Sequence, residues 1–175
     1  MKSTVSFFLG ICLVYFQTNE LETKSLFDGQ VKILIPKNFK LMTKEWMKIK
    51  YAENSLRKYV FTDTTGGVNV AVVHSDMKAS QNDIQTHMAN FKNNFKIQYP
   101  NGEWIAGGII SINGRIAGFQ EVITPTITDT NMHSLMFFTD MDGKLLLISF
   151  SCPQDEFLNW KTSAYQIRDS LVITD

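Results

Sequence analysis

The sequence predicts an α+β domain: a central, mostly antiparallel sheet of about six or seven strands covered by helices on both faces, an α/β/α sandwich. Three observations predict it. Residues 103–124 and 132–151 each read as a strand pair closed by a two-residue turn, Asn113-Gly114 and Asp142-Gly143. Such dipeptides favour the positive φ of a tight hairpin turn. The strands are also apolar on both faces. Ile105 and Ile109 oppose Trp104, Ala106, Ile110 and Ile112, and Leu145 and Leu147 oppose Leu146, Ile148 and Phe150. A sheet wet on one side would alternate apolar with polar, so both faces need cover. Finally, apolar stripes at helical spacing run through residues 80–95 and 154–170.

The elements follow in order. Asn19 to Gln30 reads as a polar lead-in to a single domain over 31–175. Val31 to Ile35 is a short strand stopped by Pro36. Met42, Trp46 and Ile49 fall at i, i+4, i+7, with Thr43 as a candidate N-cap, and this apolar spacing predicts a short helix. Arg57–Thr62 and Val68–Ser75 are strands around a Gly66-Gly67 loop. Ser80 caps a helix whose stripe is Ile84, Met88, Phe91 and Phe95, and Pro100-Asn101-Gly102 ends it. Four strands come next: 103–112, 115–124, 132–140 and 144–151. In the last helix Ser151 and Gln154 suit a capping box, and Pro153 suits the first turn. Asp155 and Glu156 match its positive end and Arg168 its negative end. Phe157, Trp160, Ala164, Ile167 and Leu171 form its buried stripe.

The first residues differ in kind. Lys2 precedes an apolar run, Val5–Phe16, and polar residues follow from Gln17. A basic start and a short apolar run fit a secretory signal peptide over 1–18, and a membrane span needs about 20 residues. No small-x-small cleavage pattern follows, so a retained anchor and a buried segment stay open as alternatives. Cys12 lies in the run, but Ile11 before it is too large for the usual lipid-modification site. Without the leader, Cys152 is the sole cysteine and no internal disulfide can form. The chain has no Asn-x-Ser/Thr sequon, which sits with a bacterial envelope or periplasm.

Composition is that of a globular domain. Of 175 residues, 44% are hydrophobic and 19% charged, with 13 Phe to fill a core. Lys plus Arg and Asp plus Glu are 17 each, so net charge gives no support to nucleic-acid binding.

The order of elements resembles the PsbP/DcrB-like superfamily. The resemblance rests on Val31–Pro36 followed by Asn38-Phe39, on the two hairpins, and on the ending from Leu145 through Ser149-Phe150-Ser151-Cys152-Pro153 into a helix near Ser170-Leu171. It covers roughly residues 27–173. It implies the sandwich fold and, since family members mostly bind proteins or act as accessory factors, a binding role. It carries over no ligand-contacting residue.

No catalytic set emerges. His74 and Asp76 are spaced like a metal pair, but zinc sites usually need three or four protein ligands. Asp140-Met141-Asp142-Gly143 lacks the later acidic ligands of a calcium loop and reads as a hairpin turn. Cys152 precedes a helix start, where a thiolate is favoured, yet no base or oxyanion site lies near it in sequence. Gly-x-Ser-x-Gly, P-loop and dinucleotide motifs are missing. Gly107-Gly108 within a strand marks a bulge or close packing.

Charge placement stands out. Residues 32–58 hold eight basic residues against Glu45 and Glu53, whereas 101–175 hold four basic and nine acidic. Such polarity can steer a charged partner. The candidate partner-binding residues are therefore Lys37, Lys40, Lys44, Lys48, Lys50, Arg57 and Lys58. The expected function is an exported, non-catalytic binding or accessory protein for a protein partner, in one version an immunity or chaperone protein for a secreted effector. No cofactor or metal is expected, and peripheral membrane contact is compatible with the charge. A small-ligand or lipid carrier is the alternative, and a hydrolase using Cys152 or a His-Asp pair is the third reading.

Overall fold

The computed structural model describes residues 19–51, 59–126 and 130–174. The leader reading and the Cys12 reading therefore lie outside the described residues. Among the described residues the strands form two sheets, and every neighbouring pair is antiparallel.

The first sheet has three strands, β1 (Leu21–Leu26), β2 (Val31–Pro36) and β10 (Val172–Ile173), with β2 in the centre. Strand β1 corrects the polar lead-in over 19–30: this segment is the first strand of the fold. Glu22 and Lys24 pair with each other at 2.7 Å, while Leu26 and the following Phe27 are buried. An edge strand needs apolar residues on one face only, which is why its composition looked like a linker.

The second sheet has seven strands in the order β3-β4-β5-β9-β8-β7-β6. These are β3 (Lys40–Leu41), β4 (Tyr59–Thr62), β5 (Asn69–Lys78), β6 (Glu103–Ile112), β7 (Arg115–Thr124), β8 (Met132–Met141) and β9 (Lys144–Pro153). Both hairpins form as the dipeptides require, with φ of 47° and 84° at Asn113 and Gly114 and 51° and 70° at Asp142 and Gly143.

Helices cover both faces. Helix α3 (Phe157–Asp169) and the three-stranded sheet lie on one face. Their core joins Val31, Ile33 and Ile35 of β2 to Phe137, Ile148 and Phe150 of the large sheet and to Trp160 and Ile167 of α3. Helix α2 (Ile84–Gln98) covers part of the other face through Ile84, Met88 and Phe91 against Phe138 and Leu145. Helix α1 (Lys44–Lys50) rests on the same face further along, over Val60 and Ala71.

Two local expectations change. The capping box is at Ser80 and Asp83, where Ser80 N donates to Asp83 Oδ2 at 2.9 Å. Ser151 instead bonds Ser134 across β8 and β9 at 2.9 Å, and Gln154 accepts from Asn131. In β6 a bulge between Trp104 and Ala106 turns Trp104 to the α2 face, away from Ile110 and Ile112. The indole then fills the space a side chain at Gly107 would need, since a Cβ there would lie 2.4 Å from Trp104 Cζ2.

Candidate functional site

The basic segment begins on β2 of the small sheet and reaches the edge of the large sheet at β3. Lys37 is taken by Glu20 at 2.9 Å, and this hydrogen bond and charge raise the lysine and lower the glutamate from their ordinary pKa values. Lys40 is exposed on β3, and Lys44, Lys48 and Lys50 are exposed on α1. Arg57 and Lys58 lie outside the described residues. Lys40, Lys44, Lys48 and Lys50 thus all stay exposed along β3 and α1.

Helix α1 starts as predicted: Trp46 N donates to Thr43 Oγ1 at 3.3 Å. Its own backbone N–H and then the Thr43 hydroxyl hold the Glu45 carboxyl below the usual range. The buried face does not follow the apolar spacing of Met42, Trp46 and Ile49. Thr43 is the N-cap, so Met42 sits before the helix in extended chain and does not share its periodicity. Met47 and Tyr51 seat the helix, and Trp46 and Ile49 point outward with 63% and 78% of their surfaces exposed. Helical spacing puts Trp46 beside Ile49, with Lys50 one turn after Trp46 and Glu45 one turn before Ile49, while Lys44 and Lys48 lie one turn apart further round the helix. Lys50 Nζ also donates to Gly66 O and lies over the Tyr51 ring.

A trough runs between α1 and α2, floored by β5, β9 and β8. Its α2 end is an apolar hollow of about 300 Å³ lined by Val73, Met77, Phe91, Met136 and Leu147. Its α1 end is a polar hollow of about 330 Å³ lined by Lys50, Asn69, Ser134 and Ser151. Ser149 lines both. Strand β9 sets this gradient, because its side chains on this face run Leu145, Leu147, Ser149, Ser151. Both faces carry helices, and on this one α1 and α2 leave floor between them.

The opposite face holds a buried polar cluster that spacing alone did not indicate. His133 Nε2 lies 2.8 Å from Glu121 Oε1, and the Tyr165 hydroxyl donates to Glu121 Oε2 at 2.5 Å. The Phe157 ring stacks on His133 with centroids 3.4 Å apart. Burial first, and then the Glu121 hydrogen bond and charge, push the Tyr165 phenol up to about 12. These residues come from β7, β8 and α3, so only tertiary packing brings them together.

The remaining candidates disperse. His74 Nε2 bonds Met141 O at 2.9 Å, while Asp76 pairs with Lys144 at 2.8 Å. Asp140 pairs with Arg115 at 3.2 Å and Asp142 accepts from Gln30. Among the described residues no group of three His, Cys, Asp or Glu could hold a metal ion. Cys152 is fully buried at the end of β9, and burial, with Glu156 and Asp155 nearby, pushes its thiol up to about 12. Desolvation outweighs any pull from the following helix start. No described helix is long and apolar enough to cross a membrane.

Two sheets, with α3 and the small sheet on one face of the large sheet and α1 and α2 on the other, give the chain a PsbP-like fold. The solved structures it is similar to include the cyanobacterial PsbP, CyanoP, of Synechocystis, at 18% identity and a TM-score of 0.65 over 95% of this chain and 99% of that one. LpqN of Mycobacterium tuberculosis, a protein involved in cell envelope biogenesis, matches at 10% identity and 0.52 over 89% and 91%. The Saccharomyces cerevisiae Ran-binding protein Mog1p matches at 10% and 0.52 over 90% and 97%. No protein-family model and no curated protein matches the chain.

Proposed function

We propose that the protein is an exported, non-catalytic binding module that recognises an acidic protein partner through α1 and β3. The observation that carries this reading is the Trp46–Ile49 ridge, exposed in the described structure on a short helix that holds Lys44, Lys48 and Lys50 against the single acidic Glu45. Large apolar side chains left outside the core on a mainly basic element suit a docking surface, since Trp is among the residues that dominate binding energy. Charge of one sign also steers the encounter. The fold supports the reading by example, because Mog1p is a Ran-binding protein. A secreted effector is one partner class that fits, with this chain as its immunity or chaperone protein.

The test is co-purification from the source organism with tagged full-length chain. Wild type should recover a stoichiometric partner, and Trp46→Ala and Lys44→Glu/Lys48→Glu should lose it. Recovery by the variants at wild-type level would place the partner elsewhere. Turnover of a substrate, abolished by a substitution in the trough, would replace the reading with an enzymatic one.

The trough favours a second reading, a carrier of an amphiphilic ligand, with its apolar end over Leu147 and its polar end over Ser149 and Ser151. Native mass spectrometry of the extracted protein decides it. An adduct lost on Leu147→Glu supports a carrier, and a bare mass counts against one.

A further inference from the structure

The sheet edges are defended unequally. Strand β3 has two residues and carries Lys40, β10 has two residues, and β1 carries Glu22 and Lys24. Short strands and charges are the usual protection against strand addition. Strand β6 is ten residues long, carries no charge from Trp104 to Ile112, and no described strand pairs with its outer side.

Its hydrogen-bonding direction follows from the hairpin. Ile112 and Arg115 flank the two-residue turn and pair with each other, so they form a hydrogen-bonded pair. Such pairs alternate along an antiparallel ladder. Ile110 and Gly108 therefore also bond inward to β7, and the N–H and C=O groups of Gly107, Ile109 and Ser111 point out. The neighbouring strand agrees. Ile116, opposite Ser111, turns its N–H to Gln81 Oε1 and its C=O to Thr139 Oγ1, not to β6.

We propose that this edge joins two copies of the chain, β6 to β6 in antiparallel register, about a two-fold axis at Ile109. That register keeps clear of the bulge at Ile105 and uses each outward group. It sets Ile109 against Ile109, which is 43% exposed in the single chain, and small Gly107 against small Ser111 on either side. Because 104–112 is uncharged, the edge meets itself without opposing like charges, and a two-fold contact closes at two copies. The seven-stranded sheet then continues through the partner copy.

The proposal is independent of the α1 surface and is tested on the full chain by sedimentation equilibrium. A reversible monomer–dimer equilibrium is expected. Ile109→Lys places two like charges at the axis and abolishes the dimer. Ile109→Pro removes an N–H that β7 does not use and does the same. Both variants should keep the wild-type circular dichroism, and the exposed Lys substitution stands as the control if Pro disturbs the strand. Ile109→Cys should cross-link on oxidation, because a hydrogen-bonded pair holds Cα atoms about 5.5 Å apart, within disulfide reach. Ser111→Cys, which faces Gly107, should not. A chain that stays monomeric at all concentrations overturns the proposal. So does a dimer that survives Ile109→Lys, the result expected if residues 1–18 or another surface hold the copies together. Equal cross-linking at 109 and 111 overturns the register.

Discussion

The Tyr165 hydroxyl donates to Glu121 Oε2 at 2.5 Å, tying α3 to β7 across 44 residues of sequence. The same carboxyl meets His133 through its other oxygen, and Arg168 lies over the Tyr165 ring at 4.8 Å. One buried carboxyl thus anchors the last helix to two strands.

Removing the phenol should register as a stability loss. Tyr165→Phe leaves Glu121 Oε2 without this donor in a buried site, which costs about 1–3 kcal/mol. Glu121→Ala should cost more, because it strands both Tyr165 and His133. Urea unfolding of the two variants checks the order, and equal midpoints for all three proteins would contradict it.

The same phenol predicts an alkaline limit. Its folded pKa of about 12 lies above the ordinary 10.0, and Cys152 rises from 9.0 to about 12. In both cases the unfolded chain loses its proton first. The stability they supply is complete below pH 9, falls from there for Cys152 and from pH 10 for Tyr165, and is gone once pH passes about 12. Unfolding midpoints against pH check this. Cys152→Ala should remove the part of the decline that begins near pH 9, and Tyr165→Phe the part that begins near pH 10.

Two tryptophans should behave oppositely. Trp160 is buried against Phe39 and Phe150, and Trp160→Ala should cost about 3–5 kcal/mol. Trp46 points outward, and Trp46→Ala should leave stability within about 0.5 kcal/mol. Thermal unfolding of both separates a core residue from a docking residue. A large loss at Trp46 would mean the ridge is structural.

Gly118 should tolerate no side chain. A Cβ there would lie 2.2 Å from Phe138 Cζ, and Phe138 is fully buried with Phe91 against it at 4.9 Å. The ring cannot withdraw without disturbing α2. Gly118→Ala should therefore destabilise by about 1–3 kcal/mol in urea unfolding. Gly108→Ala, where a Cβ would meet only ordinary contact with Phe119, is the mild comparison.

By itself the sequence determined the elements whose information is local. Asn113-Gly114 and Asp142-Gly143 dictated the hairpins because few other residues accept positive φ. The stripes of α2 and α3 and the two-faced apolar strands dictated helices on both sides of one sheet. The lysines of the candidate surface were legible too, as a run of like charge. Tertiary structure decided what depends on partners distant in the chain. Strand β1 is a strand because β2 offers it a hydrogen-bonded neighbour, and its polar outer face hid that. Trp46 is exposed because Thr43 ends the extended chain one residue after Met42, so that Met47 and Tyr51, not the apolar spacing, set the seat of α1. Trp104 changed faces because one bulge reverses every position before it. The trough and the Glu121–His133–Tyr165 cluster join residues from three or more elements, and periodicity within one element carries no record of which others will lie beside it.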